Sequence, residues 1–504
     1  MGKHQTTVCE VFGPDAFYAK RDARASIEHP LGQLAPQRVA IVVPQSATPS
    51  IGLELALWWS ASIIRRMGRP FAEIVVVASD SFRVCGSRLT AERDRTVEQV
   101  LTAELQGADP FARIEWRAPD ADAPFRDTSC VLWLGQPPTV LPGTSTIAIN
   151  AHGWIAILQS GADEELTLMP PGIDFDAAPA AIVMAACMAA ARIFANAFES
   201  RNWPRHVAIA LDSRSVSQDA YECRGWLTAG RTLRGTAPWQ EQQGPVPTVQ
   251  KLLLVSAGGI GGNVAQIASQ SYVRIGRARV LDHDVFDLSN LNRAIGVGIA
   301  ALGKPKVSTA AAALKKCCDD VAEAQTIYEH WRTPELLSEF RTRGTAVVVG
   351  VDQVRSRLEV GSDWPWLLIN GATSGTTLSA GVHSFGAGGC VGCWYGLDNA
   401  SYAATRTPMA CAAGVAPGAI EARPAASYPF VSVAASAAVM SMLIHAAHDP
   451  GAWQETAGTR WSMSVRNPAA AQLRKLQISD RCLLLCAEQY LQPVLGRAAT
   501  EVSQ

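Results

Sequence analysis

Short apolar runs alternate with longer segments of helical periodicity along both halves of the chain. The apolar, β-branched runs stand at residues 38–44, 73–78, 130–134, 146–149, 251–255, 277–281 and 346–351. The helical segments stand at residues 51–67, 177–198, 306–320 and 428–447. Strands that alternate with helices predict βαβ units and largely parallel sheets, so we expect an α/β fold.

The run at 251–255 leads directly into the glycine-rich sequence SAGGIGG at 256–262, and a helical segment begins at Asn263. Strand, glycine turn and helix is a nucleotide-binding order, because a backbone without side chains and a helix N-terminus together attract phosphate. Gly258, Gly259 and Gly261 would line the phosphates. Asp282 follows the next strand and would accept hydrogen bonds from ribose hydroxyls.

Residues after Asp282 argue against a dehydrogenase. Asp284, Asn290 and Arg293 follow within the sequence DHDVFDLSNLNR, and Lys306 ends the sequence GKPK. A redox cofactor needs no such cations. A reaction at the phosphates of ATP does, because charge on the α-phosphate and on departing pyrophosphate must be neutralised.

This order of motifs resembles the adenylation domain of the ThiF/MoeB/ubiquitin-activating-enzyme family: a glycine loop, D-x-D, S-N-L-x-R and G-x-P-K. The resemblance covers roughly residues 250 to 490. It implies ATP as substrate and places Asp352, after the strand at 346–351, as the magnesium ligand. Arg293 and Lys306 would contact phosphate oxygens and Asn290 would orient them. One position departs from the family pattern, because Ser256 stands where the first loop glycine is expected.

Four cysteines match the family's zinc site. Cys390 and Cys393 form a CxxC pair, and Cys482 and Cys486 take the place of the second pair. Four thiolates would close the site to catalysis and make it structural. The second pair has three intervening residues, not the usual two, and could equally be part of a buried helix.

Cys411 matches the family's catalytic cysteine. It lies in the small-residue stretch 406–417, which we expect to be a crossover loop. Its thiolate would take the acyl group from the adenylate as a thioester, and Arg406 could lower its pKa. The alternative is an apolar core cysteine. Cys317 and Cys318 fall inside the helical pattern at 306–320 and are expected to serve packing.

The first half repeats the predicted order of strands and helices of the second half, but it lacks the glycine loop, the S-N-L-x-R motif and the G-x-P-K motif. The turn at 45–50 has a proline and no glycine, so a phosphate could not approach it closely. We therefore expect two Rossmann-like domains: an inactive adenylation-like domain at 1–240 and an active, zinc-stabilised domain with the cysteine-bearing loop at 249–504. A linker is expected at 236–248. Arg21 and Arg24 are candidates for an arginine that completes the ATP site. An unrelated N-terminal α/β domain is the alternative.

Composition narrows the class of partner. The chain has 504 residues, a net charge of −1, 48% hydrophobic and 18% charged residues, and no long basic run, so we expect neither nucleic acid nor a membrane as partner. The 12 cysteines indicate thiol and metal chemistry in a reducing compartment. With no apolar signal segment at the N-terminus, we expect a cytoplasmic protein.

The resemblance leaves more than one function open. The first is activation of a ubiquitin-like protein: adenylation of its C-terminal glycine with ATP and magnesium, a thioester on Cys411, and transfer to a separate conjugating enzyme. Bacterial pathways of this kind include antiviral ones. The second is adenylation of a sulfur carrier or a peptide, and the third is a nucleotide-sensing scaffold without catalysis. Family members work as pairs of domains, and whether two chains also form a homodimer stays open.

Overall fold

The computed structural model describes sixteen stretches of the chain. These are residues 13–45, 50–87, 89, 94–120, 124–135, 137, 145–161, 177–198, 206–211, 215–217, 246–331, 333–384, 388–395, 427–448, 457–478 and 482. Cys411 and Cys486 lie outside them, and of the predicted linker at 236–248 only residues 246–248 lie within them. The domain boundaries therefore stay predictions.

The strands of the described residues form two sheets of eight strands each. The strands of the first sheet are β1 (Arg38–Val42), β2 (Glu73–Val77), β3 (Arg113–Arg117), β4 (Cys130–Leu134), β5 (Ser145–His152), β6 (Ile155–Gly161), β7 (His206–Ala210) and β8 (Ser215–Ser217). The strands of the second are β9 (Thr248–Val255), β10 (Arg274–Leu281), β11 (Cys318–Ala324), β12 (Thr345–Val349), β13 (Leu367–Ser374), β14 (Thr377–Ser384), β15 (Thr459–Ser464) and β16 (Asn467–Lys475).

The two sheets have the same topology. Their orders are β3-β2-β1-β4-β5-β6-β7-β8 and β11-β10-β9-β12-β13-β14-β15-β16. In each sheet the first five strands in this order are parallel and the last three are antiparallel. The predicted α/β class with two Rossmann-like units is thus confirmed, and each parallel part has the 3-2-1-4-5 order of a doubly wound sheet.

Helices cover the sheets and connect their strands. They are α1 (Pro14–Arg21), α2 (Ile51–Arg66), α3 (Asp80–Arg83), α4 (Val97–Ala108), α5 (Pro179–Ala197), α6 (Gly261–Ala268), α7 (Lys306–Leu314), α8 (Tyr328–Trp331), α9 (Pro334–Phe340), α10 (Val354–Ser362), α11 (Val391–Tyr395) and α12 (Pro429–His448). Local signals set several starts. Ser50 caps α2 by accepting the N–H of Leu53 at 3.1 Å, and Thr96 with Gln99 forms a capping box on α4.

Two Ala-rich helices join the halves. Helix α5 packs on β5 and β6 of the first sheet, α12 packs on β13 and β14 of the second, and the two helices pack on each other. Both are long and apolar enough to cross a membrane, but 83% and 89% of their apolar windows is buried inside the protein. Ser441 of α12 also donates a hydrogen bond to the carbonyl of Leu211 at 3.1 Å. Small side chains allow this close approach, so one apolar core runs through both halves.

One predicted element is wrong. The helical pattern at 306–320 breaks early: α7 ends at Leu314, and Cys318 begins strand β11. The turn at 315–317 separates them, because β11 must pair with β10 from Cys318 onward. Burial raises the pKa of the Cys317 thiol to about 12 and also raises that of Cys318, and their packing role stays a prediction.

A buried ion cluster lies in the first half. Asp109 is fully buried and accepts hydrogen bonds from Arg21 and Arg65, while Arg21 also pairs with Asp22 at 2.6 Å between Nε and Oδ1. Burial lowers the pKa of Arg65 to about 10, and Tyr18 raises it by a hydrogen bond. The two guanidinium groups therefore share the Asp109 carboxylate, and Arg21 has Asp22 as a second partner.

We predict that Asp109→Ala lowers the free energy of unfolding by about 3–5 kcal/mol, because it leaves two buried cations without their shared partner. Urea denaturation of the purified chain measures this. The matched control is Glu115→Gln, which removes a half-exposed partner of Arg38 and should cost less than about 1 kcal/mol. Equal effects of the two changes would contradict the prediction.

Candidate nucleotide site

The candidate site lies where the strand order of the second sheet reverses. Strand β9 is flanked by β10 and β12, and Leu281, Val255 and Val349 are aligned at the ends of these three parallel strands. Asp282, the glycine loop and the segment that leads to Asp352 follow those three residues directly. Ligands of doubly wound sheets bind at the carboxyl ends of the strands at such a switch point.

The glycine loop turns at Ser256 and not at a glycine. Ser256 has φ of +90°, and its Oγ accepts the N–H of Gly258 at 3.2 Å. Ser256, which stands where the family pattern has a glycine, therefore adopts the left-handed backbone conformation that favours glycine, although it carries a β-carbon. Gly261 is required for close approach, because a Cβ there would lie 1.8 Å from the Ser256 carbonyl oxygen.

Asp282 fixes the loop to the neighbouring strand. The carboxylate is buried, and its two oxygens accept the N–H groups of Ala257 at 2.8 Å and of Asp284 at 2.9 Å. Each carboxylate oxygen can accept a second hydrogen bond, so this role leaves capacity for ribose. Ribose binding by Asp282 stays a prediction.

Lys306 is held against the D-x-D sequence. It is the first residue of α7, is only 8% exposed, and places Nζ 2.7 Å from Oδ2 of Asp284. The Lys306 N–H also donates to the Asp284 carbonyl at 3.0 Å. The ammonium therefore lies at the same sheet edge as Asp282, because its partner Asp284 stands two residues after Asp282 in the sequence.

Arg293 lies against the glycine loop. A Cβ on Gly259 would be 3.0 Å from Cδ of Arg293, so the guanidinium stem covers the loop closely. Its Nη1 donates to the Ser289 carbonyl at 3.0 Å and to Oδ1 of Asn292 at 3.0 Å. Asn290, predicted to orient phosphates, uses Oδ1 to accept the Asp287 N–H at 3.1 Å in a capping box of a 3-10 turn.

Asn263 is a site residue that the sequence motifs do not single out. It is fully buried at the start of α6, and Nδ2 donates to the carbonyls of Gly259 at 2.5 Å and Arg293 at 2.9 Å. Its Oδ1 accepts the N–H of Ile295 at 3.0 Å. Asn263 thus links the glycine loop to the backbone that carries Arg293, a role visible only in three dimensions.

Asp352 is exposed in the segment between β12 and α10. It raises the pKa of Arg357, which burial lowers more strongly. Arg357 in turn donates hydrogen bonds to Oδ1 of Asn370 and to the carbonyls of Gly371 and Val351. These bonds tie the segment before Asp352 to strand β13. Magnesium binding by Asp352 stays a prediction, and an exposed carboxylate at a strand end suits a hydrated, oxygen-ligated cation.

Three of the four predicted zinc thiols come together. Sγ of Cys390 lies 3.2 Å from Sγ of Cys482 and 3.9 Å from Sγ of Cys393, and all three sulfurs lie within 4.8 Å of one another. In a tetrahedral site with Zn–S bonds of about 2.3 Å the sulfurs are about 3.8 Å apart, so this donor set fits zinc. The alternative that the second pair belongs to a buried helix stays open, because residues 483–486 lie outside the part of the chain that the structure describes.

The two arginines considered for the ATP site have different environments. Arg21 is 1% exposed and is paired inside the buried cluster around Asp109. Arg24 is half-buried, and its carbonyl accepts the N–H of Ser427, just before α12, at 3.3 Å.

Comparisons with known proteins agree with the motifs. The sequence model of the ThiF family matches residues 241–479. The chain is 28% identical over 172 residues to the adenylyltransferase and sulfurtransferase MOCS3 of Arabidopsis thaliana, which is 34% of this chain and 36% of that protein. It is 37% identical over 83 residues to mouse MOCS3, which is 16% of this chain and 18% of that protein. The chain thus matches little more than a third of the length of the Arabidopsis protein and less than a fifth of the length of the mouse protein.

Solved structures similar to the chain include E. coli MccB with succinimide and with ATP. They cover 67% of this chain and 97% of their own, at 15% and 18% identity and TM-scores of 0.37 and 0.36.

The family match falls on the half of the chain in which the glycine loop, Asp282, Arg293 and Lys306 meet at one sheet edge. The C-terminal half of this chain is a ThiF family domain.

Proposed function

We propose that this protein adenylates the C-terminal carboxylate of a ubiquitin-like protein with ATP, then takes the acyl group on Cys411 and passes it to a conjugating enzyme. The observation that carries the adenylation step is the junction of Asp282 with the glycine loop, together with Arg293 against Gly259 and Lys306 on Asp284. Cations, a buried carboxylate and a glycine loop at one sheet edge suit a reaction at phosphate.

The chemistry has two steps. A carboxylate oxygen of the carrier attacks the α-phosphorus of ATP, the bond to the bridging oxygen breaks, and pyrophosphate leaves. The Cys411 thiolate then attacks the acyl carbon, and AMP leaves as the thioester forms. Arg293 and Lys306 would neutralise the charge on the phosphates, and Asp282 would hold the ribose. Magnesium on Asp352 would share that neutralisation.

The N-terminal half supports a ubiquitin-like carrier over a free sulfur carrier. It has the strand order of the ThiF half, while the turn after β1 holds no glycine. We propose that it is an inactive adenylation-like partner within the same chain. The simple sulfur-transfer members of the family lack such a half and pair with themselves. Larger members carry an inactive domain beside an active one, and this chain resembles them in having two halves.

A second candidate is favoured by the names of the two relatives. Both MOCS3 proteins are named adenylyltransferases and sulfurtransferases, which suggests a carrier that is activated for sulfur transfer. This function would use the same ATP site. It would differ in the fate of the adenylate, which a sulfur donor, and not Cys411, would consume.

We predict that Cys411→Ala abolishes a reductant-sensitive adduct with a tagged ubiquitin-like protein while ATP-dependent pyrophosphate release, which accompanies formation of the acyl-adenylate, persists. Gels run with and without reductant measure the adduct. Cys317→Ala is the matched control and should keep the adduct, because burial raises the pKa of that thiol to about 12. Adenylate without any adduct in the unaltered protein would favour the sulfur-carrier function.

We predict that Arg293→Ala and Asp352→Ala each slow pyrophosphate–ATP exchange by about 100-fold. The first change removes a cation that would neutralise phosphate charge, and the second removes the carboxylate that would hold the magnesium ion. Arg274→Ala and Asp319→Ala are the matched controls. These residues form an exposed pair, with 2.9 Å between Nη2 and Oδ2. Both stand at the amino ends of their strands, β10 and β11, whereas the candidate site lies at the carboxyl ends, so their loss should leave exchange unchanged. Exchange that persists in Arg293→Ala and Asp352→Ala would contradict both adenylation functions.

We predict about one zinc ion per chain by elemental analysis, lost in Cys390→Ser and Cys482→Ser, because three thiolates cannot be replaced by hydroxyls without loss of affinity. Cys85→Ser, in the first half, should retain the metal. Removal of zinc by a chelator should lower the melting temperature of the unaltered protein. A chain that is folded and free of zinc would show that Cys390, Cys393 and Cys482 are a packing cluster.

A further inference from the structure

The backbone that carries Arg293 rests on the N-terminal half. We call residues 286–299 the arginine loop. Helix α1 contacts its 3-10 turn, Leu288–Asn290, and α4 contacts the following turn, Ile299–Ala301. The approach is close: a Cβ on Gly298 would lie 2.6 Å from the carbonyl oxygen of Gly107 in α4.

Arg66 reaches the arginine loop from the end of α2. Its side chain is 1% exposed, and Nε donates to the Leu291 carbonyl at 3.1 Å while Nη2 donates to the Val297 carbonyl at 3.1 Å. Burial lowers the pKa of Arg66, and Glu104 raises it by charge and hydrogen bond. A guanidinium is planar and forked, so one side chain can bind two carbonyls that are six residues apart and fix their separation.

Glu104 of α4 completes the contact. Oε1 accepts Nη2 of Arg66 at 2.8 Å and the N–H of Gly296 at 3.2 Å. Gly296 has φ of +75°, a left-handed conformation at which the chain reverses. One carboxylate oxygen therefore holds both the arginine and the turn that follows Arg293.

These contacts bracket Arg293 in sequence. Leu291 precedes it, Gly296 and Val297 follow it, and Asn263 binds its carbonyl from the opposite side. Because the loop is tied before and after Arg293, the direction of the guanidinium depends on Arg66 and Glu104 as well as on its own half. Displacements of about 1 Å at a charge-stabilising group are costly in catalysis.

We propose that Arg66 and Glu104 of the inactive half are positioning residues for ATP: they hold the arginine loop so that Arg293 points at the phosphates. The N-terminal half thereby acts on the reaction without touching the nucleotide. This inference rests on the proposed function, since it assigns Arg293 to phosphate.

The test measures binding of two ligands to the full chain by calorimetry: ATP with magnesium, and adenosine, which carries no phosphate. Arg66→Met should weaken ATP binding by about tenfold, because two carbonyls lose their donor and the loop relaxes. Adenosine binding should change by less than about twofold. A merely structural loss would weaken both ligands or neither, so the ratio of the two affinities reports positioning.

Conservative changes make the test specific. Glu104→Gln keeps an oxygen acceptor for Gly296 and Arg66 and should retain ATP binding, whereas Glu104→Ala should behave like Arg66→Met. Arg66→Lys keeps the charge but not the fork, and should fall between. Trp59→Phe is the control for a weakened interface: it removes the hydrogen bond to Gln270, 2.8 Å across the halves and away from the arginine loop, and should leave both affinities unchanged.

The outcomes separate the two proposals. Failure of the unaltered chain to bind ATP would overturn the proposed function. ATP binding that is normal in the unaltered chain and equally normal in Arg66→Met and Glu104→Ala would overturn this inference alone. If Arg66→Met does not fold, as judged by thermal unfolding, the ratio of affinities in Arg66→Lys and Glu104→Ala decides the question in the same way.

Discussion

The bonds of the buried Asp282 carboxylate to two backbone N–H groups are the interaction on which the site depends. One oxygen holds Ala257 in the glycine loop, and the other holds Asp284, which in turn binds Lys306. A buried carboxylate is stable only when such donors satisfy it, and the donors are ordered only because the carboxylate is there. The loop, the D-x-D sequence and the lysine are therefore linked through one carboxylate.

The sequence predicts seven of the sixteen described strands, because the signals of these seven are local. Apolar runs at 38–44, 73–78 and 130–134 become β1, β2 and β4 with ends that move by two residues or fewer. The error at 306–320 arises from the same kind of signal. Alanines favour helix up to Leu314, but the pairing of β11 with β10 is a long-range demand that helix propensity does not contain.

The site is predictable to the level of its motifs and no further. Glycines, Asp282, Arg293 and Lys306 stand in a recognisable order, and three of the predicted zinc thiols lie close together, as the family resemblance implies. What supports them has no local signal. Arg66 lies 225 residues before Leu291, and next to Arg65, which serves the separate cluster around Asp109. Nothing in a pair of adjacent arginines indicates that they face different partners.

The shared topology of the two halves allows such support to come from the first half. Both halves have one topology, and α5 and α12 pack on each other from corresponding places. A half that packs on the other in this way needs no glycine loop of its own, because packing and phosphate binding use different residues. Arg66 and Glu104 belong to helices α2 and α4 and not to the strand ends. Under the proposed function, a half without a glycine loop can therefore determine the geometry at which the other half binds ATP.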